Sequence, residues 1–220
     1  MNFNLKLKIF KFIQKIFKYF NLKIFYSKDI NFLRNITRVD YIIDVGVEKG
    51  TGFLYKNFSK AKYYLIEANP VYYDYLEHYF LTKFNGKLFK IAAGKKKSEK
   101  NFFLNGPISS FYKRENFNFA KKKRVKILPL DKILRKEKIN KNTILKVDCE
   151  GGELDVLLGA RAILKKINYV IIEVRLQKIN TYNPSEIISL LYEYKFKWKQ
   201  VLKVYYAKKG IDFIDVLFTK

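Results

Sequence analysis

From Val39 onward, short runs of apolar residues alternate with longer amphipathic segments. This alternation is typical of β–α–β units built around a largely parallel sheet. The apolar runs predict strands at residues 41–45, 63–66, 88–92, 144–147 and 169–174. The amphipathic segments predict helices at residues 50–58, 70–80, 153–164 and 184–194. One α/β domain follows from this order of elements.

The chain closes with two β-rich stretches, 197–206 and 213–219, joined around Lys208, Lys209 and Gly210. This pair predicts an antiparallel hairpin. Two further short strands, at 101–104 and 125–128, flank a polar and basic loop. The chain length of 220 residues suits one sizeable core. We therefore predict a doubly wound, mostly parallel sheet with a C-terminal antiparallel hairpin strand, in a single domain over residues 29–220.

Residues 1–28 differ from the rest, because apolar residues recur at helical spacing with lysines between them. This predicts a basic amphipathic helix. Such a helix suits the interface of an anionic membrane, where aromatic side chains enter the acyl boundary and lysines meet the headgroups. Packing against the domain or against a partner protein is the alternative, because periodicity does not identify what covers an apolar face. No small-residue cleavage site follows, so a secretory signal is not expected.

The formal net charge is +25, from 45 basic and 20 acidic residues. Such a charge attracts nucleic acids and anionic membranes. However, 38 of the basic residues are Lys, and they accompany many Asn, Ile, Phe and Tyr residues, all of which have A/T-rich codons. Genome composition thus explains much of the charge. Phosphate recognition favours the planar fork of Arg, so nucleic acid is not the expected partner.

Cys149 is the only cysteine, which excludes an intrachain disulfide and a cysteine-based zinc cluster. No metal site is predicted. The apolar runs fall far short of the ~20 residues that span a bilayer. The expected location is the cytoplasm, with peripheral contact at the inner membrane face if residues 1–28 bind lipid.

A glycine-containing loop, residues 44–52, follows the first predicted strand and opens a predicted helix. Open α/β sheets bind ligands at this point. Its spacing differs from the G-x-G-x-x-G dinucleotide fingerprint. Asp44, at the end of the strand, suits the ammonium group of S-adenosylmethionine, while loop amides suit its carboxylate. A plain turn with glycines for packing is the alternative.

Glu67 ends the second strand, 23 residues after Asp44, where a carboxylate can accept hydrogen bonds from ribose hydroxyls. A surface acid near Pro70 is the alternative interpretation. Small residues around Ala92 end the third strand and leave room for an adenine ring.

Asp148 and Glu150 follow the fourth strand, on the edge of the sheet that also carries Asp44 and Glu67. A hydroxyl that accepts a methyl group gains from a nearby base, and these two carboxylates are the catalytic candidates. Their alternative roles are capping the helix that starts near Gly152 and pairing with lysines such as Lys146.

Two neighbouring side chains bear on the interpretation of Asp148 and Glu150 as catalytic residues. Glu173 ends the fifth strand, where it lines the same crevice or pairs with Arg175. Cys149 lies between two acids, so its thiol pKa should be raised, which argues against a nucleophile.

Taken together, these segments resemble the FkbM-type methyltransferase family over residues 41–174. The family's D-V-G-A-N-x-G opening is similar to residues 44–50, its E-P-x-P element to 67–70 and its L-D element to 130–131. Its signature I-K-x-D-x-E-G-x-E, followed by V-L-x-G-A, is similar to residues 145–153 and 156–160. This last match is the most specific.

The resemblance implies a Rossmann-like class I fold, S-adenosylmethionine as donor, and O-methylation of a small-molecule or glycan acceptor, often a sugar. The predicted donor-binding residues are Asp44, Gly46, Glu48, Gly50, Glu67, Ala68 and Ala92. The predicted catalytic residues are Asp148 and Glu150.

Val47 and Glu48 replace the family's Ala and Asn, and Ala68 replaces its first Pro, so all three departures fall on the donor side. A carboxylate at position 48 either weakens donor binding or contacts the ammonium or sulfonium group. A catalytically degenerate fold that binds RNA or membrane is the second hypothesis.

Overall fold

The computed structural model describes residues 36–104, 109–112, 121–176, 181–207 and 210–220. The chain divides into two compact units, residues 1–35 and 36–220, and these descriptions concern the second. The predicted helix at 1–28 and the predicted turn at 208–209 lie outside the described residues. Among the described helices, none combines the length and apolar character that crossing a membrane requires.

Strands and helices alternate along the chain, as predicted. The strands are β1 (Tyr41–Val45), β2 (Lys62–Glu67), β3 (Gly86–Lys90), β4 (Ala92–Ala93), β5 (Ser98–Leu104), β6 (Lys121–Leu128), β7 (Thr143–Val147), β8 (Tyr169–Arg175), β9 (Lys197–Ala207) and β10 (Gly210–Thr219). The helices are α1 (Gly52–Asn57), α2 (Tyr73–Tyr75), α3 (Leu130–Ile133), α4 (Glu153–Leu158), α5 (Arg161–Lys166) and α6 (Pro184–Glu193). A 3₁₀ turn (Pro70–Tyr72) precedes α2 and a π turn (Leu76–Phe80) follows it.

The main sheet has seven strands in the order β3-β2-β1-β7-β8-β10-β9. The first five of these are parallel, while β10 runs antiparallel to both β8 and β9. Strand order reverses between β1 and β7, which creates the crevice where open α/β sheets bind ligands. The predicted doubly wound sheet with a C-terminal antiparallel hairpin is therefore confirmed.

The central strands are buried on both faces, which explains their mostly apolar sequence. All five residues of β7 are buried, and each of β1, β2 and β8 has a single partly exposed residue. Helices α4, α5 and α6 cover the sheet with the buried residues Val156, Leu157, Ile163, Leu164, Ile187 and Leu191. This packing holds the carboxyl ends of β1 and β7 in place.

The predicted third strand divides between two sheets. Its first part, β3, ends the main sheet, whereas Ala92 and Ala93 form β4 in a separate sheet of order β4-β6-β5. In that small sheet β4 pairs parallel to β6, and β5 pairs antiparallel to β6. The small sheet stands beside the crevice because β4 directly follows the end of β3.

The predicted helix at 153–164 is two helices, α4 and α5, with a break at Gly159. A Cβ atom at Gly159 would lie 2.1 Å from the carbonyl oxygen of Gly94, so the break lets two backbones touch. The Asp131 carboxylate then accepts hydrogen bonds from the amides of Ala162 and Ile163, at 2.8 and 3.0 Å. The acid of the L-D element thus caps α5.

Candidate functional site

A cavity of about 430 Å³ opens at the carboxyl ends of the parallel strands. Its wall combines the glycine loop, the ends of β2, β7 and β8, the small sheet, and the hairpin β9–β10. Its volume lies in the range of small-molecule sites. The crevice predicted from the strand order is therefore a real cavity.

The glycine loop lies directly against the loop after β7. Gly46 has φ 77°, and a Cβ atom there would lie 1.7 Å from the carbonyl oxygen of Asp148. The amide of Asp148 donates to the carbonyl of Val45 at 3.0 Å. Only glycine fits at position 46, so this residue brings the two motif loops together.

Glu67 ties the glycine loop to the end of β2. Its Oε2 accepts hydrogen bonds from the amides of Val47 and Glu48, both at 2.9 Å, and its Oε1 accepts from the amide of Asn69 at 2.6 Å. Burial raises the pKa of this carboxyl, while the backbone donors oppose the rise. Glu67 also lines the cavity, as its predicted donor-binding role requires.

Asp44 is fully buried behind the loop and does not line the cavity. Its Oδ2 accepts from the hydroxyls of Tyr55, at 2.8 Å, and Thr51, at 3.0 Å. These contacts fasten the start of α1 to β1. The placement therefore does not support the predicted contact with the donor's ammonium group. Thr51 and Tyr55 carry no motif signal, so sequence reasoning missed them.

Lys146 connects the two acids on either side of it. Its Nζ lies 3.4 Å from Asp44 Oδ1 and 3.2 Å from Asp148 Oδ2, and it donates to the carbonyl of Gly46 at 3.2 Å. The alternative role of Asp148, an ion pair with this lysine, is thus present in the structure. Asp148 still lines the cavity, with 36% of its side chain exposed.

Glu150 is held by Arg175 instead. Arg175 Nη2 lies 2.5 Å from Glu150 Oε2 and 3.1 Å from Glu173 Oε1, and its Nη1 lies 3.8 Å from Asp212. Both interpretations of Glu173 hold, since it pairs with Arg175 and lines the cavity. Burial raises the pKa of the Glu173 carboxyl well above its usual range, and repulsion from Asp148 adds to the rise.

Carboxylate oxygens of Asp148, Glu150 and Glu173 lie within 4.8 Å of one another, a spacing that could hold a cation. Lys146 and Arg175 already supply positive charge to these three acids. No metal is therefore needed to offset their repulsion.

Glu153, rather than Asp148 or Glu150, organises the loop before α4. Its carboxylate is fully buried and accepts hydrogen bonds from the amides of Cys149, at 2.9 Å, and Gly151, at 3.1 Å.

Burial and the neighbouring acids raise the pKa of the Cys149 thiol, as expected from the sequence.

The small sheet forms an apolar wall of the cavity. Ala92 is 4% exposed, and Phe102 and Phe111 line the cavity with it, their rings 4.8 Å apart. Ala68 packs against this wall. The cavity wall beside Ala92 is therefore apolar, and the adenine site there stays a prediction. The two phenylalanines were not predicted, because the polar loop between the strands hides their contact.

Gly50 and Glu48 complete the loop side of the cavity. Gly50 has φ 100°, and a Cβ atom there would lie 2.3 Å from the ring of Tyr55. Glu48 has φ 52°, an uncommon conformation for Glu that Asn adopts more readily. Burial and repulsion from Asp148 raise the pKa of the Glu48 carboxyl to about 7.

The hairpin β9–β10 contributes three polar side chains that sequence reasoning missed: Lys203, Tyr205 and Asp215. Asp215 pairs with Glu173 across β10–β8 and with Lys203 across β10–β9. Burial raises the pKa of the Asp215 carboxyl to about 6, and Asp148 contributes to the rise. An acid in the otherwise apolar stretch of β10 was the available signal.

The residues present fit S-adenosylmethionine. A loop that only glycine can form at position 46, a buried carboxylate at Glu67 and an apolar wall at Ala92 all face one cavity. Of the predicted donor-binding residues, the structure brings six to the cavity and leaves Asp44 behind it. Asp148 and Glu150 both line it.

Comparisons with a protein-family model and with solved structures all identify methyltransferases. A model of the methyltransferase FkbM domain matches residues 44–198. No curated protein matches. Methyltransferase FkbM from Methylobacillus flagellatus KT is 15% identical with a TM-score of 0.49, and the match covers 82% of this chain but 43% of that one. This chain thus spans less than half of that protein's length.

Two other solved structures are similar at lower identity. A TehB-like SAM-dependent methyltransferase from Corynebacterium glutamicum is 10% identical with a TM-score of 0.46, and 97% of each chain is covered. Magnesium protoporphyrin IX methyltransferase from Synechocystis PCC 6803, with bound SAM, is 7% identical with a TM-score of 0.48, covering 87% of this chain and 76% of that one.

The family model covers well over half of the chain. The chain therefore belongs to the FkbM family of S-adenosylmethionine-dependent methyltransferases, as predicted, and has their class I α/β fold.

Proposed function

We propose that this protein transfers a methyl group from S-adenosylmethionine to a hydroxyl oxygen of a sugar, in a glycan or glycolipid precursor. One observation carries the proposal. A single cavity has a glycine-loop side and a side rich in carboxylates and lysines, and the two sides touch where Gly46 meets Asp148.

The donor side would use the loop at Gly46 and Gly50, the Glu67 carboxylate and the apolar wall at Ala92. When bound, S-adenosylmethionine supplies an electrophilic methyl group on a positively charged sulfonium. The acids Glu48 and Asp148 give this part of the cavity negative charge, which stabilises a cation. Because burial near Asp148 raises the pKa of Glu48 to about 7, that charge develops around neutral pH.

Asp148 is the better candidate for the base that accepts the hydroxyl proton. Its side chain is the more exposed of the two predicted catalytic acids, at 36% against 17% for Glu150. Both acids are paired with a cation, and the contact of Glu150 with Arg175, at 2.5 Å, is shorter than that of Asp148 with Lys146, at 3.2 Å. A base must reach the proton that it removes, so the more accessible acid is preferred. Arg175 then acts on Glu150 as a positioning residue.

The acceptor side favours a molecule with several hydroxyl groups. Lys203, Tyr205 and Asp215 come from the hairpin, and Asp148 and Glu173 from neighbouring parallel strands. Convergent polar groups of this kind orient a ligand through hydrogen bonds. A purely apolar acceptor would remove water from these polar groups without offering hydrogen bonds in return, which is costly.

Donor binding is tested by calorimetry with S-adenosylhomocysteine. Glu67→Gln should weaken binding by roughly 10- to 100-fold, because an amide presents N–H groups to amides that need an acceptor. Glu77→Gln is the matched control, since Glu77 lies on the surface with Lys90 2.8 Å away. Absence of binding by folded wild-type protein would overturn the proposal and favour the degenerate fold.

The transfer step is tested with donor carrying a labelled methyl group and a panel of sugars, catechols and fatty acids. Label should appear on a sugar oxygen. Asp148→Asn should lower kcat by about 10²- to 10⁴-fold, while Glu150→Gln should lower it less. Donor binding by both variants is the control for folding. Transfer to catechols or fatty acids but to no sugar would refute the sugar assignment.

A further inference from the structure

The small sheet carries an unusual concentration of positive charge. Nine exposed basic residues lie in residues 95–100 and 121–126: Lys95, Lys96, Lys97, Lys100, Lys121, Lys122, Lys123, Arg124 and Lys126. Glu99 is the one acid in these two segments. Genome composition explains many lysines in the chain, but it does not explain why acids are so scarce beside these.

The pleat sorts these residues onto two faces, because successive side chains of a strand point in opposite directions. Val125 and Ile127 are buried with Phe102 on the face that packs toward the cavity. Lys122, Arg124 and Lys126 therefore share the opposite face, which we call the basic row. All three are exposed.

Little within the described residues neutralises the basic row. Arg124 lies 3.7 Å from Glu99, both with well-exposed side chains, and Lys122 lies over the ring of Phe103 at 5.5 Å. Alternate residues of a strand are roughly 7 Å apart, which is inside the Debye length of about 8 Å at physiological salt. These like charges repel one another, and an anionic surface would relieve that repulsion.

We propose that the basic row docks on the anionic surface of a membrane. Attraction to anionic headgroups requires only several positive charges held near the surface. Recognition of nucleic acid typically adds Arg forks and exposed aromatic rings that stack on bases. The nine residues include one Arg, and among the described residues of this face the aromatic side chain is Phe103, which is only partly exposed and has Lys122 above it. The composition therefore matches a lipid surface better.

Docking in this way would also place the cavity close to the membrane. Ala92 and Phe102 of the same small sheet line the cavity from the other face. A lipid-linked acceptor would then meet the cavity at the membrane surface. The docking itself does not depend on methyl transfer, so it can be tested separately from the proposed function.

The test uses the full chain and co-sedimentation with vesicles of phosphatidylcholine, with or without 30% phosphatidylglycerol, at about 0.1 M salt. The test variant is Lys122→Gln, Arg124→Gln, Lys126→Gln. Each basic residue near a surface contributes roughly fivefold, so partitioning to anionic vesicles should fall on the order of 100-fold. Phosphatidylcholine vesicles should bind neither protein strongly.

The matched control is Arg161→Gln, Lys165→Gln, Lys166→Gln, which removes the same charges from exposed positions of α5. This helix leads into the start of β8, at the edge of the sheet opposite the cavity. Residues 1–28 are present in every protein, so the difference between the two variants reports the basic row alone. Equal loss in both variants would overturn the proposal.

Two further measurements keep the result decisive. Circular dichroism checks that each variant folds. If the triple variant does not fold, the three single substitutions replace it. Each of them should weaken vesicle binding about fivefold. Binding of poly(U) is measured in parallel. If the basic-row variant lost poly(U) binding but kept its vesicle binding, the proposed membrane docking would be refuted and nucleic acid would be the partner of the basic row.

Discussion

Replacing Lys146 with Met leaves the volume of the core nearly unchanged. Even so, it should lower the stability of the protein more than most single substitutions do. Lys146 is 8% exposed and contacts Asp44, Asp148 and the carbonyl of Gly46 at 3.2 to 3.4 Å. Asp44 is fully buried, and its Oδ1 has no hydrogen-bond partner among the residues that the structure describes. The lysine is therefore the cation that compensates this buried carboxylate.

Loss of one partner from a buried ion pair costs about 3–5 kcal/mol, because the remaining charge stays buried without compensation. Total stabilities of domains are about 5–15 kcal/mol, so this loss is a large share. Lys90→Met is the matched control. Lys90 pairs with Glu77 at 2.8 Å, and both side chains are well exposed, at 45% and 36%, so this pair contributes no more than about 1 kcal/mol.

The measurement is urea denaturation at pH 7, followed by far-UV circular dichroism. A second substitution, Asp44→Asn, removes the buried charge in the Lys146→Met background and should recover at least about 1–2 kcal/mol of the loss. If Lys146→Met costs no more than Lys90→Met, the account of the buried pair is wrong. A failure of Asp44→Asn to recover stability would show that the lysine acts through packing instead.

Three more predictions concern the same loops. The melting temperature of Glu48→Gln relative to wild type should rise from pH 5 to pH 8, because a carboxyl whose pKa is raised from 4.5 to about 7 costs stability once it must ionise; a constant difference would refute this. Gly46→Ala should lose about 3 kcal/mol or more through its contact with Asp148, whereas Gly52→Ala, with open space around it, should be neutral or stabilising in urea denaturation. The Cys149 thiol should react at least about tenfold more slowly with a disulfide reagent at pH 8 in native protein than in urea, since desolvation and the neighbouring acids raise its pKa; equal rates would contradict the raised pKa.

The strands at the centre of the fold were predictable for a physical reason. Parallel strands covered on both faces favour apolar residues along their length, so β1 reads as an apolar run interrupted only by Asp44, and its predicted bounds match the structure. The common edge of the sheet then followed from strand direction. The division of residues 153–164 into two helices was not predictable, because Gly159 breaks the helix to contact Gly94, a residue distant in sequence.

The residues of the candidate site also divide into those that the sequence could place and those that it could not. Residues at strand ends, such as Glu67 and Asp148, could be placed because a parallel sheet aligns them. Asp215 and Lys203 could not, because their approach to Glu173 depends on the register of antiparallel strands near the end of the chain. The pair of Arg175 with Glu173 was one of the predicted alternatives, but its contacts with Glu150 and Asp212 were not, because no local pattern marks a contact between distant segments.

The motif residues of this family hold the two loops of the site together as well as facing a ligand. Asp44 and Lys146 are direct neighbours across β1 and β7, so their ion pair forms as soon as these strands align. The loops that follow then meet at Gly46 and Asp148, a contact with no room for a side chain at position 46. Glu48, where this chain departs from the family, adds a carboxylate to this junction. Lys146 attracts that carboxylate while Asp148 repels it, so its charge state couples the donor loop to the acceptor side.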